Sequence, residues 1–476
     1  MAEFTVAIEL GSSKITGIAG RKNKDGSISI LALAQEDAAA CIRKGVVYNI
    51  EKTVQALSNI IKKLETTLKT RIAHVYVGVG GQSIQSVRNT NVKTLPNDGE
   101  VTLEMINELM DANRSMQYPD KQILDAITQE YKVDNQYTND PVGIQCKRIE
   151  GNFLNILQKR NYFMRLKKCF DQANITVLDM FLSPLVMADS VLSDAEKRGG
   201  CVLVDLGADT TTVCVYYKNI VRHLAVIPLG SNNITKDIAS LQMEEKDAEK
   251  MKIKYGSAYT DINDIEKDRT YPIDDERTIE MPKFVEIVAD RAREIIENVW
   301  NQVPEEFTNK LLGGFVLTGG GCNMRNIERA FRTYTDIDKI RVAKFVNEPI
   351  KSSNAIVNAK DGRMCTVLGI LAKGDQNCAG NDIMGDLFDN IDEANAHQNG
   401  NKPANNGRVL DQAETERIKQ EELKKKQEEE ERKRQQEEEE ARRIEEERKR
   451  NSKKHKYATA IKSFFKKIVA DEEDEK

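Results

Sequence analysis

The chain has 476 residues, of which 31% are charged, and a net charge of −5, which allows two or three globular domains and gives no general argument for nucleic-acid binding. Its eight cysteines include no Cys-x-x-Cys pair and no accompanying histidine cluster, which disfavours a zinc site and favours reduced thiols in a packed core. The first residues lack the basic and apolar regions of a signal peptide, and no run approaches 18 apolar residues, so neither a signal peptide nor a membrane-spanning helix is predicted.

The N-terminal part has the pattern of an α/β domain. A strand is predicted at residues 5–8, followed by a small-residue turn, and a second strand at residues 28–34. Apolar residues at helical spacing predict an amphipathic helix over residues 50–70, and a further strand is predicted at 74–79. Strands and helices mixed in this way indicate α/β architecture.

Residues 84–162 have a different pattern of predicted elements and are interpreted as a small α/β module inserted into the first domain. Their pattern predicts a helix at residues 103–116 and short strands at 126–133 and 142–149. The sequence alone shows only an extra module here, and a passive insertion is one interpretation of it. Helical patterns follow over residues 160–173 and 182–192, and a strand is predicted at 201–204.

An internal repeat links the two halves of the chain. The run IELGSS at residues 8–13 recurs as VDLGADTT at residues 204–211. In both, a strand ends in an acid, which is followed two residues later by glycine and then by hydroxyl side chains. The repeat predicts two duplicated lobes that face one cleft. A third glycine-rich turn, Gly319-Gly320-Gly321, follows a predicted strand at 314–317 and precedes a predicted helix at 324–334.

These three turns have the composition of a nucleotide site. Glycine at a strand end lets backbone N–H groups approach a phosphate closely, and neighbouring hydroxyls can donate further hydrogen bonds. An acid at the strand end, Glu9 or Asp205, would repel phosphate unless a magnesium ion with its waters lay between them. Each turn alone is more often an ordinary strand–turn, and the two common nucleotide fingerprints are absent. The three turns together, in this order, indicate a triphosphate site.

The order of the motifs resembles the superfamily of actin, DnaK-type chaperones and sugar kinases and, within it, the FtsA family of bacterial cell-division proteins. Glu9 stands where actin-like filament proteins usually have aspartate, and glutamate is frequent there in FtsA. The resemblance covers residues 1 to about 375. The segments that carry it are VAIELGSSKITGIAG (6–20), GGCVLVDLGADTTTVCVY (199–216), IVRHLAVIPLGSNNITKDIA (220–239), DAEKMKIKYGSA (247–258), FVLTGGGCNMRNI (315–327) and CTVLGILAKGD (365–375).

This resemblance implies a two-lobed α/β fold of the actin-like ATPase type, with duplicated ribonuclease H-like lobes. It also implies a small inserted α/β subdomain beside the first lobe and a charged C-terminal tail that ends in an amphipathic helix. The implied subdomains are 1A at residues 1–83, 163–198 and 365–388, 1C at 84–162, 2A at 199–240 and 313–364, and 2B at 241–312.

Carried over position by position, the resemblance implies a site for ATP and Mg. The implied residues are Glu9, Gly11, Ser12, Ser13, Lys14, Asp205, Gly207, Asp209, Thr210, Thr211, Gly230, Glu249, Lys252, Gly319, Gly320 and Gly321. Glu9 and Asp205 would hold magnesium through water. For Glu249 and Lys252, the i,i+3 spacing alone favours a solvated helix pair, and only the resemblance favours contact with the ribose and base. No side chain is identified as the activator of a water, so the catalytic residue is unknown and at most a weak ATPase is expected.

The residues after the globular part form a tail of distinct composition. Residues 389–411 are interpreted as a flexible linker and residues 412–455 as a charged spacer, helical or disordered, without a heptad seam. Residues 456–470 are predicted to form an amphipathic helix, which residues 471–476 follow as an acidic end.

That helix is predicted to lie in the headgroup region of an anionic membrane, because its apolar stripe is flanked by lysines and the spacer separates it from any core. A docking helix for a protein groove is the alternative. The predicted membrane-binding residues are Tyr457, Ile461, Lys462, Phe464, Phe465, Lys466 and Ile468.

The resemblance implies a protein that polymerises on the cytoplasmic face of the membrane and tethers FtsZ filaments at the division septum. Implied partners are the C-terminal tail of FtsZ, with Arg291 as the candidate contact, further copies of the chain, and later membrane proteins of the divisome. A small-molecule kinase of the same superfamily is the alternative and would need an acceptor pocket and a base. An actin-like pilus-assembly or shape protein is disfavoured by the long insert and by Glu9.

Overall fold

The structure is a computed structural model that describes residues 3–96 and 99–382, which belong to one compact unit. Its strands are β1 Thr5–Leu10, β2 Lys14–Lys22, β3 Ile28–Asp37, β4 Ile42–Arg43, β5 Val46–Val47, β6 Thr70–Ile72, β7 Val75–Val79, β8 Gln85–Thr94, β9 Lys121–Val133, β10 Gln136–Thr138, β11 Arg148–Lys159, β12 Val177–Leu182, β13 Cys201–Leu206, β14 Thr211–Tyr217, β15 Ile220–Ile227, β16 Thr270–Pro272, β17 Thr278–Glu280, β18 Gly314–Thr318, β19 Ile340–Val342, β20 Ile350–Lys351 and β21 Ala379–Asp382.

Helices cover both lobes and the insert. They are α1 Ile50–Leu68, α2 Leu103–Arg114, α3 Arg160–Gln172, α4 Ser183–Val191, α5 Asp194–Gly199, α6 Ser231–Ala239, α7 Glu245–Tyr255, α8 Met281–Asn301, α9 Ile327–Thr335, α10 Ala355–Asn358 and α11 Cys365–Lys373. Short 3-10 turns lie at Ile262–Asp264, Glu305–Lys310 and Gly320–Asn323. In the part of the chain that the structure describes, none of these helices is both long and apolar enough to cross a membrane.

The two lobes repeat one sheet topology. In the first lobe β1, β2 and β3 form an antiparallel meander, β7 lies parallel to β1, and β12 lies parallel to β7. In the second lobe β13, β14 and β15 form the same meander, with β18 parallel to β13 and β19 parallel to β18. The two duplicated α/β lobes that the repeat predicts are therefore confirmed, and this topology agrees with the actin-like fold that the resemblance implies.

Helices cover both faces of the first-lobe sheet, which explains why β1 is a nearly continuous apolar run. Asn49 caps α1 by accepting a hydrogen bond from the backbone N–H of Lys52. A side chain at Gly17 would meet Ile60 of α1, whereas one at Gly20, on the other face, would meet Leu371 of α11. Small residues in β2 thus let both helices approach closely.

The insert is a four-stranded antiparallel sheet, β8 to β11, against which α2 packs. It has a small apolar core of its own that includes Leu109, Ile149 and Phe153. The predicted strand at residues 142–149 is largely wrong, since β11 begins only at Arg148. In residues 139–147 a turn contains Gly143 at a φ of 88°, and Gln145 forms only an isolated antiparallel bridge with Glu100.

The insert also contacts the second lobe, which the sequence did not predict. Gln85 of β8 pairs with Ala225 of β15, so the sheet of the insert continues into that of the second lobe. The backbone N–H of Leu224 donates a hydrogen bond to Oγ of Ser86 at 2.9 Å. Gln129 Nε2 donates to the carbonyl of Val221 at 3.0 Å. The insert therefore contacts both lobes and not the first alone.

All eight cysteines are buried. Burial raises the pKa of Cys214, which lies in the centre of β14. Burial also raises the pKa of Cys201, in this case to about 12. Thiols with raised pKa values are poorly reactive at neutral pH, because the thiolate is the nucleophile. This agrees with the prediction of core thiols.

Candidate functional site

The first two glycine turns have the same geometry. The backbone N–H of Gly11 donates to the carbonyl of Lys14 at 3.0 Å, and that of Gly207 donates to the carbonyl of Thr210 at 2.9 Å. A Cβ atom at either glycine would lie 2.9 Å or less from that carbonyl oxygen, so glycine is required at both places. The sequence repeat therefore encodes one turn that is built twice, once in each lobe.

The acids before these turns lie close to each other across the two lobes. Burial, and then the charge of Asp205, raise the pKa of Glu9 to about 8, and burial raises the pKa of Asp205 to about 6. Two carboxyl groups that repel each other in this way form a natural site for a cation. Carboxylate oxygens are ligands that suit a magnesium ion, which usually keeps several of its waters.

The triple-glycine turn packs directly against the second turn. Gly319 has a φ of 84°, and a Cβ atom there would lie 2.2 Å from Oδ1 of Asp205 and 2.7 Å from the carbonyl oxygen of Leu206. A Cβ atom at Gly321 would lie 2.9 Å from the same carbonyl oxygen. Gly320 adjoins Arg363 instead. The glycines thus allow this turn to approach the acid and the backbone of the second turn.

The start of α6 holds the second turn from the other side. The backbone N–H of Asn232 donates to the carbonyl of Ala208 at 2.7 Å, and its side-chain amide donates to Asp209 Oδ1 at 2.8 Å. A Cβ atom at Gly230 would lie 2.4 Å from that same carbonyl oxygen. Thr211 is buried, and its hydroxyl donates to the carbonyl of Leu229 at 2.9 Å. Gly230 and Thr211 therefore support the shape of the turn.

Lys252 is buried and not a member of a solvated helix pair. Its side chain is 7% exposed, and its Nζ contacts Glu249 Oε2 at 2.6 Å, Thr235 Oγ1 at 2.8 Å and the carbonyl oxygen of Ser231 at 3.1 Å. These contacts use the three donors of an ammonium group. Lys252 therefore fixes α7 to the start of α6, which in turn holds the second turn.

Substituting Lys252 by methionine should test this connection. Methionine keeps the apolar stem but removes the charge, so we expect a loss of about 1–3 kcal/mol in the free energy of unfolding. We also expect weaker nucleotide binding. The matched control is Lys250→Met, because Lys250 pairs with Asp247 on the same helix with its side chain 79% exposed. An exposed pair contributes about 0–1 kcal/mol, so equal losses in urea unfolding of the two variants would contradict the assignment.

Arg291 lies on α8, and its guanidinium is paired within the chain. Its Nε donates to Asp237 Oδ2 at 2.6 Å and one Nη donates to Oδ1 at 3.1 Å, which forms a bidentate ion pair between α8 and α6. It also pairs with Glu294, and 28% of its side chain is exposed. The ion pair with Asp237, 54 residues away in sequence, was not apparent from the sequence.

The structure brings most of the predicted nucleotide residues together. The turn at residues 205–211 contacts the triple glycine and Gly230 directly. The first turn is connected to it through Lys44 and Gly45, which are hydrogen-bonded to Asp209 and Ser12. Lys252 reaches the second turn through Ser231, whose hydroxyl donates to the carbonyl of Gly207. Ser13 and Lys14 are exposed in the first turn. The predicted membrane-binding residues, Tyr457, Ile461, Lys462, Phe464, Phe465, Lys466 and Ile468, lie outside the described residues.

Sequence reasoning missed the turn Lys44-Gly45 beside the cleft. The backbone N–H of Gly45 donates to Oγ of Ser12 at 2.8 Å, and that of Lys44 donates to Asp209 Oδ2 at 3.3 Å. Two signals were available in the sequence: the glycine in the run KGVV at residues 44–47 and, further along the chain, the pair Gly80-Gly81. A cavity of about 300 Å³ flanks this turn and is lined by Arg43, Lys44, Val46, Val47, Tyr48, Gln82, Tyr162 and Arg165.

Comparisons with known proteins find relatives that match most of the chain. The family model "Cell division protein FtsA" matches residues 202–369, and the model "SHS2 domain inserted in FTSA" matches residues 81–157. The cell division protein FtsA of Porphyromonas gingivalis is 30% identical over 388 residues, which cover 79% of this chain and 80% of that protein. FtsA of Neisseria meningitidis serogroup B is 31% identical over 332 residues, which cover 68% of this chain and 80% of that protein.

The fold is also found in a solved structure of low sequence identity. A chain of the PilM–PilN type IV pilus biogenesis complex matches with a TM-score of 0.54 at 14% identity, and the match covers 77% of this chain and 97% of that chain. Identity this low supports the fold alone.

Proposed function

Because this chain belongs to the FtsA family of cell-division proteins, we propose that it binds ATP with Mg, polymerises on the cytoplasmic face of the membrane and tethers FtsZ filaments at the division septum. The observation that carries the ATP site is the pair of matching turns, one in each lobe, whose acids Glu9 and Asp205 lie near enough for the charge of Asp205 to raise the pKa of Glu9. The membrane and partner roles rest on the tail sequence and the family.

In the proposed complex each lobe contributes one turn to the phosphates. Backbone N–H groups and hydroxyls at residues 11–14 and 207–210 bind the β- and γ-phosphates, while Glu9 and Asp205 hold the waters of magnesium. The ion neutralises charge on the phosphates. The triple-glycine turn lies beneath the nucleoside, with Glu249 and Lys252 beside the ribose and base. A ligand that contacts both lobes favours their closed arrangement, because it binds that arrangement more tightly.

Assembly converts weak membrane anchors into firm attachment. Each lysine near an anionic leaflet contributes about 1 kcal/mol, and each large apolar side chain that becomes buried contributes about 1.5–3 kcal/mol. Ordering a short helix offsets much of this gain. One copy of the tail therefore binds reversibly, whereas a row of tails on a filament binds with the advantage of high effective concentration.

We place the FtsZ tail on the second lobe, next to α8. Arg291 is already paired with Asp237, so its proposed role is to hold α8 on α6 and to present its remaining exposed surface to an acidic partner segment. Further copies of the chain and later membrane proteins of the divisome complete the proposed partners.

Liposome co-sedimentation with ATP tests the membrane role. The intact chain should pellet with vesicles that contain anionic lipid, while a chain ending at Lys454 should stay in the supernatant, because it lacks the apolar stripe. The pair Phe464→Glu and Phe465→Glu should behave like the truncation. Its control is Gln435→Glu with Gln436→Glu, which changes the net charge equally within the spacer. Equal pelleting of all four proteins would remove the membrane role.

A further inference from the structure

The strands β4 and β5 form a small hairpin beside the cleft. Ile42 pairs with Val47 and Arg43 with Val46, and the two residues between them, Lys44 and Gly45, have φ values of 50° and 70°. Two successive residues with positive φ are the signature of a type I′ turn, which is a tight and well-defined connection. Because the turn has a fixed shape, a movement of the residues bonded to one side of it would shift the residues bonded to the other side.

This turn is bonded to both phosphate turns. The N–H of Gly45 donates to Ser12 Oγ in the first lobe at 2.8 Å, and the N–H of Lys44 donates to Asp209 Oδ2 in the second lobe at 3.3 Å. Two adjacent backbone groups therefore connect one turn of each lobe. A change in the separation of the lobes alters at least one of these hydrogen bonds.

The same turn is bonded to the root of the insert. The N–H of Gln82 donates to the carbonyl of Lys44 at 2.8 Å. The backbones of Gly45 and Gly81 are in direct contact, since a Cβ atom at Gly81 would lie 2.2 Å from the carbonyl oxygen of Gly45. From Gly81 the chain runs directly into β8, and the carbonyl of Ile84 accepts a hydrogen bond from the N–H of Val226 at 3.1 Å.

We propose that the Lys44-Gly45 turn is a positioning element that couples nucleotide occupancy of the cleft to the placement of the insert. A nucleotide that draws the two phosphate turns together fixes the Lys44-Gly45 turn through Ser12 and Asp209. The contacts with Gly81 and Gln82 then fix the root of the insert and its junction with β15. Coupling between two sites is carried by packed backbone and hydrogen bonds that connect them without a break, as these contacts do. The inference rests on the proposed function, because the signal is ATP binding.

Hydrogen exchange of the full chain with and without Mg-ATP tests the coupling. In the wild-type chain exchange should slow in residues 207–210 and also, by about fivefold or more, in residues 80–86 and 221–226. Gly45→Ala would bring a Cβ atom to 2.5 Å from Cα of Gly81. This variant should keep the slowing at residues 207–210 and lose it at 80–86.

The matched control is Gly26→Ala, since Gly26 has a φ of 79° but, in residues 3–96 and 99–382, no atom within 4 Å of an added Cβ atom. It should transmit the slowing as the wild type does. Slowing confined to the phosphate turns of the wild type would overturn the proposal, and this comparison needs no variant to fold. Equal transmission in Gly45→Ala and Gly26→Ala would overturn it as well. If Mg-ATP slowed hydrogen exchange nowhere in the wild-type chain, the proposed ATP site itself would be refuted, and with it the premise that nucleotide binding is the signal.

Discussion

Replacing Gly319 by alanine is expected to abolish ATP binding and to lower the free energy of unfolding by about 3 kcal/mol or more. The residue has a φ of 84°, which an L side chain rarely adopts, and its Cβ atom would lie 2.2 Å from Oδ1 of Asp205. Neither Asp205 nor the backbone of Leu206 can retreat without distorting the second turn. Urea unfolding and equilibrium ATP binding of the full chain measure both effects.

The Gly26→Ala variant separates the two causes. Gly26 has nearly the same φ, 79°, but among the described residues no atom lies within 4 Å of its added Cβ atom. It should lose about 1–2 kcal/mol, the cost of the left-handed backbone alone, with unchanged ATP affinity. If both variants lost equal stability and both bound ATP as the wild type does, the close packing of the third turn would have no bearing on the site.

Replacing Asp205 by asparagine is expected to lower the affinity for ATP in the presence of magnesium about 10- to 100-fold. This is the usual cost of removing a group that hydrogen-bonds to the ligands of a metal ion, which here are its waters. In EDTA the affinity should not fall, because no ion then needs the second carboxylate. The ligand-free variant should be at least as stable as the wild type, since the repulsion that helps raise the pKa of Glu9 is removed. Calorimetric titration with and without magnesium measures the affinities.

Asp25→Asn is the control for that experiment. Asp25 carries the same carboxylate but pairs with Lys351, and both side chains are more than half exposed. It should bind ATP with unchanged affinity and unchanged dependence on magnesium. Tight magnesium-dependent binding by Asp205→Asn would contradict the proposed role of Glu9 and Asp205 in holding the ion.

The duplicated lobes could be predicted from the sequence because each lobe begins with a recognisable local pattern. A strand, an acid and a glycine turn depend mainly on neighbouring residues, and IELGSS and VDLGADTT form the same hydrogen-bonded turn in the two lobes. The triple glycine was recognisable for the same reason, although its contact with Asp205 was not. Local chemistry thus indicated where the site lies.

The remaining features depend on partners distant in sequence. The burial of Lys252 follows from its contacts with Ser231 and Thr235 on another helix. The pairing of Arg291 with Asp237, and the junction of the insert with β15, likewise arise only when elements pack. Periodicity cannot reveal them, because an exposed and a buried lysine occupy the same helical pattern until a neighbouring helix covers one of them.

A crystal structure of the chain with magnesium and a non-hydrolysable ATP analogue tests the central claim most directly. The account predicts a triphosphate between residues 11–14 and 207–210, with a hydrated magnesium ion between the carboxylates of Glu9 and Asp205. A nucleotide bound to one lobe only, or bound away from these carboxylates, would contradict it.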